Sequence, residues 1–306
     1  MAVEKLEKDW VKYPILHLDL NIEKYDTPDS LDNILDKSLT AWEKLYGAEP
    51  SERSFSLRFA GIIERACKQA GQRVVILVDE YDKPMLQAIG NEELQRQFRN
   101  ALKPFYGALK TMDGCIKFAF LTGVTKFGKV SVFSDLNNLD DISMRKDYVE
   151  LCGVSDRELH DTLDAELHEF ADVRGVTYDK LCAELKECYD GYHFTHNSIG
   201  MYNPFSLLNA FKYKEFGSYW FETGTPTYLV SLLKKHHYDL ERMAHEETDA
   251  QVLNSIDSES TNPIPVIYQS GYLTIKGYDE EFGIYRLGFP NREVEEGFVR
   301  FMLPYY

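Results

Sequence analysis

Asp79 and Glu80 stand side by side at the end of an unbroken apolar run, Val74 to Val78, that starts shortly after Gly71. Such a run predicts a strand buried on both faces, as in a parallel sheet. Open α/β sheets bind ligands at the carboxyl ends of their strands, so these carboxylates are candidates for holding a cation and orienting water. The plainer reading is a solvated turn after a buried strand, where acidic residues are common. Other residues offer weaker chemistry. Gly123 to Lys129 satisfies G-x-x-x-x-G-K after a second apolar run. Val130 occupies the position that should be Ser or Thr for magnesium, Ser131 is one residue late, and the match follows the acidic strand instead of preceding it. A simple β–α loop is the better reading. His193 and His196, with Cys188 and Asp190, have C-x4-H-x2-H spacing, which matches no common zinc pattern. They read as part of an aromatic-rich turn. Neither His168-Glu169 nor His245-Glu246 leads to the second histidine of H-E-x-x-H, and no G-x-S-x-G elbow occurs. Arg145 and Arg292 could reach a phosphate, but surface ion pairs are their plainer role.

The elements that must position Asp79 and Glu80 alternate between strand and helix. Pro14 to Leu20 reads as a short strand. Thr27-Pro28 opens a helix, since Thr caps well and Pro at the first helical position costs nothing. Leu31, Ile34, Leu35, Leu39, Trp42 and Leu45 share one face of it. Phe55 to Ala70 is a second helix, stopped by Gly71. Asn91 caps a third, carrying Leu94, Phe98, Leu102 and Phe105 with a kink expected at Pro104. Ile116 to Leu121 predicts another strand, ending in Thr122-Gly123, and Tyr148 to Leu151 a short one. Alternation of this kind points to an α/β fold with a parallel sheet.

From about Gly153 the pattern turns helical. Ser155 to Glu158 has capping-box spacing ahead of Leu159, Leu163, Leu167 and Phe170, and Thr177 to Tyr189 forms the next helix. Pro204 and Thr225-Pro226 mark further helix starts. After Pro263 the reading is strand, turn, strand: Val266 to Gly271, Tyr272 to Tyr278, an acidic turn through Gly283, then Ile284 to Leu287. A helix from Glu293 to Phe301 follows.

The segments WVKYPILHLDLN, VVILVDEYDKPM, IKFAFLTGVTKFGKVSVFSDLNNLDDISM, ECYDGYHF, MYNPFSLLNAF, GSYWFETGTPTYLV and YQSGYLTIKGY occur in that order. Together they resemble the bacterial predicted AAA-ATPase-like family, usually joined to a C-terminal PD-(D/E)XK nuclease-like domain. The resemblance covers essentially the whole chain. It implies a truncated P-loop NTPase-type core over residues 1–152, a helical lid over 153–245 and a winged-helix-like module over 246–306. Asp79-Glu80 takes the Walker B place: Asp79 would organise magnesium and Glu80 would position the attacking water. Ile116 to Thr122 takes the sensor strand's place, with Thr122 facing the γ-phosphate and Thr125 the second choice. ATP and Mg2+ are the implied cofactors.

In that family a first strand and a glycine-rich loop with a lysine precede the region where this sequence begins; residues 1–73 contain no G-x-x-x-x-G-K-[ST]. The resemblance therefore implies the middle of a longer protein, with weak nucleotide binding and negligible turnover from this stretch alone. In the family's strand order, 5-1-4-3-2, that first strand lies beside the sensor strand. Without it, Ile116 to Leu121 would expose an edge or Tyr148 to Leu151 would close onto it. Self-association, or an upstream fragment supplying the strand, follows as an expectation. The reading from another class is a non-catalytic module that binds a partner protein.

Composition bounds these choices. The 306 residues have room for two or three cores, and no apolar run approaches a membrane span. The charge of −16 disfavours direct nucleic-acid binding. The five cysteines lack close pairing, which fits free thiols in a cytoplasmic protein.

Overall fold

The computed structural model describes residues 5–125, 132–133, 136–223, 233, 245–254 and 262–302. The helix start at Thr225-Pro226 and the G-x-x-x-x-G-K segment beyond Thr125 lie outside them. The chain divides into two units, residues 1–139 and 140–306.

The first unit is α/β. Strands β1 (Ile15–Asp19), β2 (Val74–Asp79) and β3 (Ile116–Leu121) form a parallel sheet in the order β1-β2-β3. Between β1 and β2 run α1 (Pro28–Tyr46) and α2 (Phe55–Ala70); between β2 and β3 run the short α3 (Lys83–Gln87) and the long α4 (Glu92–Thr111). Local signals set the helix ends. Ser54 and Asn91 accept hydrogen bonds from the Leu57 and Leu94 amides, and Gly71 ends α2 in the left-handed conformation. Thr27 has the extended backbone of an N-cap but makes no side-chain cap bond, and Pro28 follows it. Helices α1, α2 and α4 pack on one another, and α2 lies against β2. Trp42 stacks on Phe59 and Phe59 on Phe105, which joins the three helices through one aromatic column.

The sheet is covered unevenly. Leu16, Leu18, Val74, Ile76 and Val78 are buried on one face, whereas Val75 and Leu77 on the other are only half-buried. Register places Ile15, Val75 and Phe118 in one row of that second face and His17, Leu77 and Phe120 in the next. Ile15 is 56% exposed and Phe118 54%. The expectation that β2 is buried on both faces is therefore corrected: among the described residues, helices cover one face. Tyr148 to Leu151 is corrected too. Lys146–Tyr148 is a single 3-10 turn and no strand pairs there, so β3 keeps an open edge among the described residues.

In the second unit, β4 (Val154–Ser155) and β5 (Met201–Tyr202) form a short antiparallel pair that sequence periodicity is too brief to show. Ser155 completes the expected capping box with Glu158. One helix expected through Leu163 is two, α5 (Asp156–Thr162) and α6 (Asp164–Arg174), joined at Leu163 where the backbone leaves helical angles. With α7 (Tyr178–Tyr189) and α8 (Pro204–Tyr213) they enclose a core of Leu159, Leu167, Phe170, Leu181, Leu185 and Phe211. Further on, α9 (Tyr219–Glu222) is followed by β6 (Glu247–Asp249), β7 (Thr274–Asp279) and β8 (Ile284–Gly288), a sheet in the order β6-β8-β7. Val266 to Gly271, expected as a strand, is instead mostly the helix Ile264–Gln269, which opens with Pro265 in its first turn. A final helix spans Arg292–Met302. Its buried Glu293 accepts from Ser206 Oγ at 3.0 Å and Trp220 N at 2.8 Å, tying α8 and α9 to it.

Candidate functional site

The three parallel strands end together. Leu20 N donates to Asp79 O at 3.1 Å, Thr122 N to Val78 O at 2.9 Å, and Tyr81 N to Thr122 O at 3.0 Å. The main chain thus fixes where the strand-end side chains begin. Asp19 lies directly opposite Asp79 in the register of β1 and β2.

Asp79 and Thr122 meet. Thr122 Oγ1 donates to Asp79 Oδ1 at 2.7 Å, and Glu80 N donates to the same oxygen at 3.1 Å. Asp79 is exposed, and its Oδ2 makes no hydrogen bond among the described residues. One oxygen is therefore held in place while the other is available. Glu80 adopts φ +56, a left-handed backbone that a residue with a Cβ occupies at a cost of about 1–3 kcal/mol. Burial raises its pKa, and the negative charges of Asp82 and Asp79 push the same way. Lys83 faces the group, but its Nζ is engaged by Asn21 O at 2.6 Å and Asn21 Oδ1 at 2.7 Å.

Thr125 is in a different position from Thr122. It is buried, and both its backbone N–H and its hydroxyl donate to Asp82 Oδ2. Val124 N donates to Asp82 Oδ1 at 3.2 Å, and Tyr81 OH reaches Thr125 O at 2.8 Å. Asp82 thereby clamps the loop leaving β3 against the turn leaving β2. Burial raises the Asp82 pKa while the Thr125 hydroxyl and amide oppose the rise. A Cβ at Gly123 would fall 2.2 Å from Asp82 Oδ1, so glycine is needed for that approach. Sequence reading missed Asp82. The only signal was a third carboxylate within four residues, Asp79-Glu-Tyr-Asp82, ahead of Pro84.

Among the described residues no three His, Cys, Asp or Glu side chains converge to hold a metal. The donor set at the strand ends does suit magnesium, which keeps several waters and takes one or two carboxylates along with phosphate oxygens. The remaining candidates have other occupations. His193 Nδ1 is 2.9 Å from Ser198 O, and His196 stacks on Tyr278. Arg145 pairs with Asp140, and Arg292 pairs with Glu187 at 3.1 Å and donates to Cys188 Sγ. No helix among the described residues is long and apolar enough to cross a membrane.

Comparison with known proteins adds two findings. Residues 1–133 match the family model described as Predicted AAA-ATPase. Over 291 residues the chain is 36% identical to an uncharacterized protein in the vnfD 5′ region of Azotobacter chroococcum mcd 1, covering 94% of this chain and 54% of that protein. The chain thus spans about half the length of this relative.

Proposed function

We propose that the strand-end cluster of the first unit, where residues 1–133 match the family model described as Predicted AAA-ATPase, is the magnesium and water side of an ATP site. The observation that carries this reading is Asp79 at the end of the central strand, one oxygen held by Thr122 and the other without a hydrogen bond among the described residues. Magnesium and ATP, when bound, would bring the phosphoanhydride and the positive charge that neutralises it. Asp79 would hold the metal's water shell through Oδ2, and Thr122 would fix the carboxylate's rotation. Glu80 would orient a water from its left-handed turn, its raised pKa suiting it to accept a proton. Thr125, bound to Asp82, would shape the loop without contacting ligand.

A finer division of the second unit, into a helical lid (153–245) and a winged-helix-like module (246–306), is favoured by the antiparallel β6-β8-β7 sheet that the latter contributes together with helices Ile264–Gln269 and Arg292–Met302. Phosphoryl transfer depends chiefly on positioning and charge, and no complete Walker A motif is present in this sequence. We therefore expect weak binding and negligible turnover from this chain alone. Calorimetric titration with a non-hydrolysable ATP analogue checks this. Binding should require magnesium and weaken about tenfold or more in Asp79→Ala, the loss of one charge-assisted contact. Binding indifferent to both would overturn the assignment.

Self-association, a second reading, is favoured by one observation: among the described residues, the half-bare sheet face carrying Ile15 and Phe118 lies beside the open β3 edge.

A further inference from the structure

The β6-β8-β7 sheet carries a cavity of about 350 Å³ lined by His245, Glu247, Lys276, Arg286 and Leu287. A fault in the sheet assembles it. Along β7, Ile275 pairs with Leu287 and Gly277 with Arg286, so Lys276 is an extra residue in a bulge. Bulges turn a side chain out of the alternation of its strand, and this one lets Lys276 line the same cavity as Arg286. Gly277 completes the arrangement. An ideal Cβ there would fall 2.7 Å from Arg286 Nη2, so the guanidinium lies across the strand over the space that glycine leaves. On the other side of β8, Glu247 is the register partner of Arg286, and His245 lies two residues before it.

Lys276 and Arg286 are exposed, and neither forms an ion pair among the described residues. Arg286 makes no ion pair or side-chain hydrogen bond among the described residues. Lys276 Nζ donates to Pro290 O at 3.0 Å, which leaves two of its three hydrogens. The protein packed around it lowers its pKa, against the pull of Asp190 and Glu295.

From this geometry we infer that the cavity binds a small phosphate-bearing anion, with Arg286 as the fork, Lys276 as the point charge and His245 as a further donor. A guanidinium fork matches two phosphate oxygens, and an ammonium beside it can take a third. Glu247 sets the charge requirement: one carboxylate in the wall disfavours singly charged anions and leaves net attraction for a multiply charged one. The volume is at the low end of metabolite pockets and exceeds that of a bare oxyanion. The site lies wholly within the second unit and does not depend on the role proposed for Asp79.

Inorganic pyrophosphate, titrated without magnesium at low ionic strength, tests it, with citrate as a multiply charged carboxylate control. Pyrophosphate should bind, and Arg286→Gln and Lys276→Gln should each weaken it about tenfold or more. Glu247→Gln should tighten it several-fold, a gain that a misfolded variant would not produce. Asp79→Ala should leave it unchanged, which separates this site from the nucleotide reading. No pyrophosphate binding, binding unaltered by Arg286→Gln, weakening by Glu247→Gln, or citrate binding as tightly as pyrophosphate would each overturn the inference.

Discussion

Glu80 combines two unfavourable features in one residue. Its backbone is left-handed, and its carboxyl is packed near Asp82, Asp79 and Asp19. Both features are tolerable if a cation or a water-handling role compensates for them, as backbone outliers at functional sites often imply. The electrostatic part can be tested separately from function. Its pKa in the fold is raised above the ordinary value near 4. Such a group adds stability below the unfolded value and loses it as pH rises through the folded one. At neutral pH the ionised Glu80 therefore opposes folding. Glu80→Gln should raise the melting midpoint by a few degrees at pH 7.5, with the advantage shrinking towards zero by about pH 4. Thermal melts across that range check it. A variant less stable at pH 7.5, or a pH-independent gain, would contradict the assigned cause.

At the scale of elements, legibility followed pattern length and capping chemistry. Helix Phe55–Ala70 has a serine cap, sixteen residues of periodicity and a terminal glycine, and its ends were readable to the residue. The Ile116–Leu121 strand was as clear from its apolar run. Short apolar runs misled. Val266 to Gly271 is apolar enough for a strand, but Pro265 in the first turn starts a helix, and so short a run does not distinguish the two periods. Tyr148 to Leu151 failed because a run of that length has no cross-strand partner to hold it. The uneven cover of β2 was hidden for another reason. Val75 and Leu77 are apolar like their neighbours, and nothing local states whether a helix lies above them. In the site, Asp79 and Thr122 are both singled out by their places at strand ends, and a hydrogen bond joins them, whereas nothing local signals the Asp82–Thr125 clamp. That clamp spans 43 residues of sequence, a pairing only the parallel register of β2 and β3 brings about.

For the molecule as a whole, the sheet face left half-bare among the described residues is the feature that most affects behaviour. Sheets made only of parallel strands are ordinarily covered on both sides, and here Ile15 and Phe118 stand in one exposed row. Under the self-association reading, light scattering on a size-exclusion column should show species larger than a monomer at tens of micromolar. Phe118→Lys, which puts a charge in that row, should shift the population to monomer while leaving the circular dichroism unchanged. A wild-type chain that elutes as a clean monomer and melts cooperatively at high temperature would sink this reading.

The parallel topology has a kinetic side as well. Ile15 must find Val75 and Val78 must find Leu121, pairings far apart in sequence, whereas α6 and α7 in the second unit need only a short connection to meet. Distant pairings slow folding because the chain closes long loops before gaining contacts. Stopped-flow refolding, followed in each unit by a site-specific fluorophore, should therefore resolve a fast phase from the helical part of residues 140–306 and a slower one from residues 1–139. Identical rates would refute this ordering. Throughout that slower phase the Phe118 row has no cover to acquire from the described residues, so the unit that takes longest to close also presents its apolar surface longest to a chaperone or to another unfolded chain.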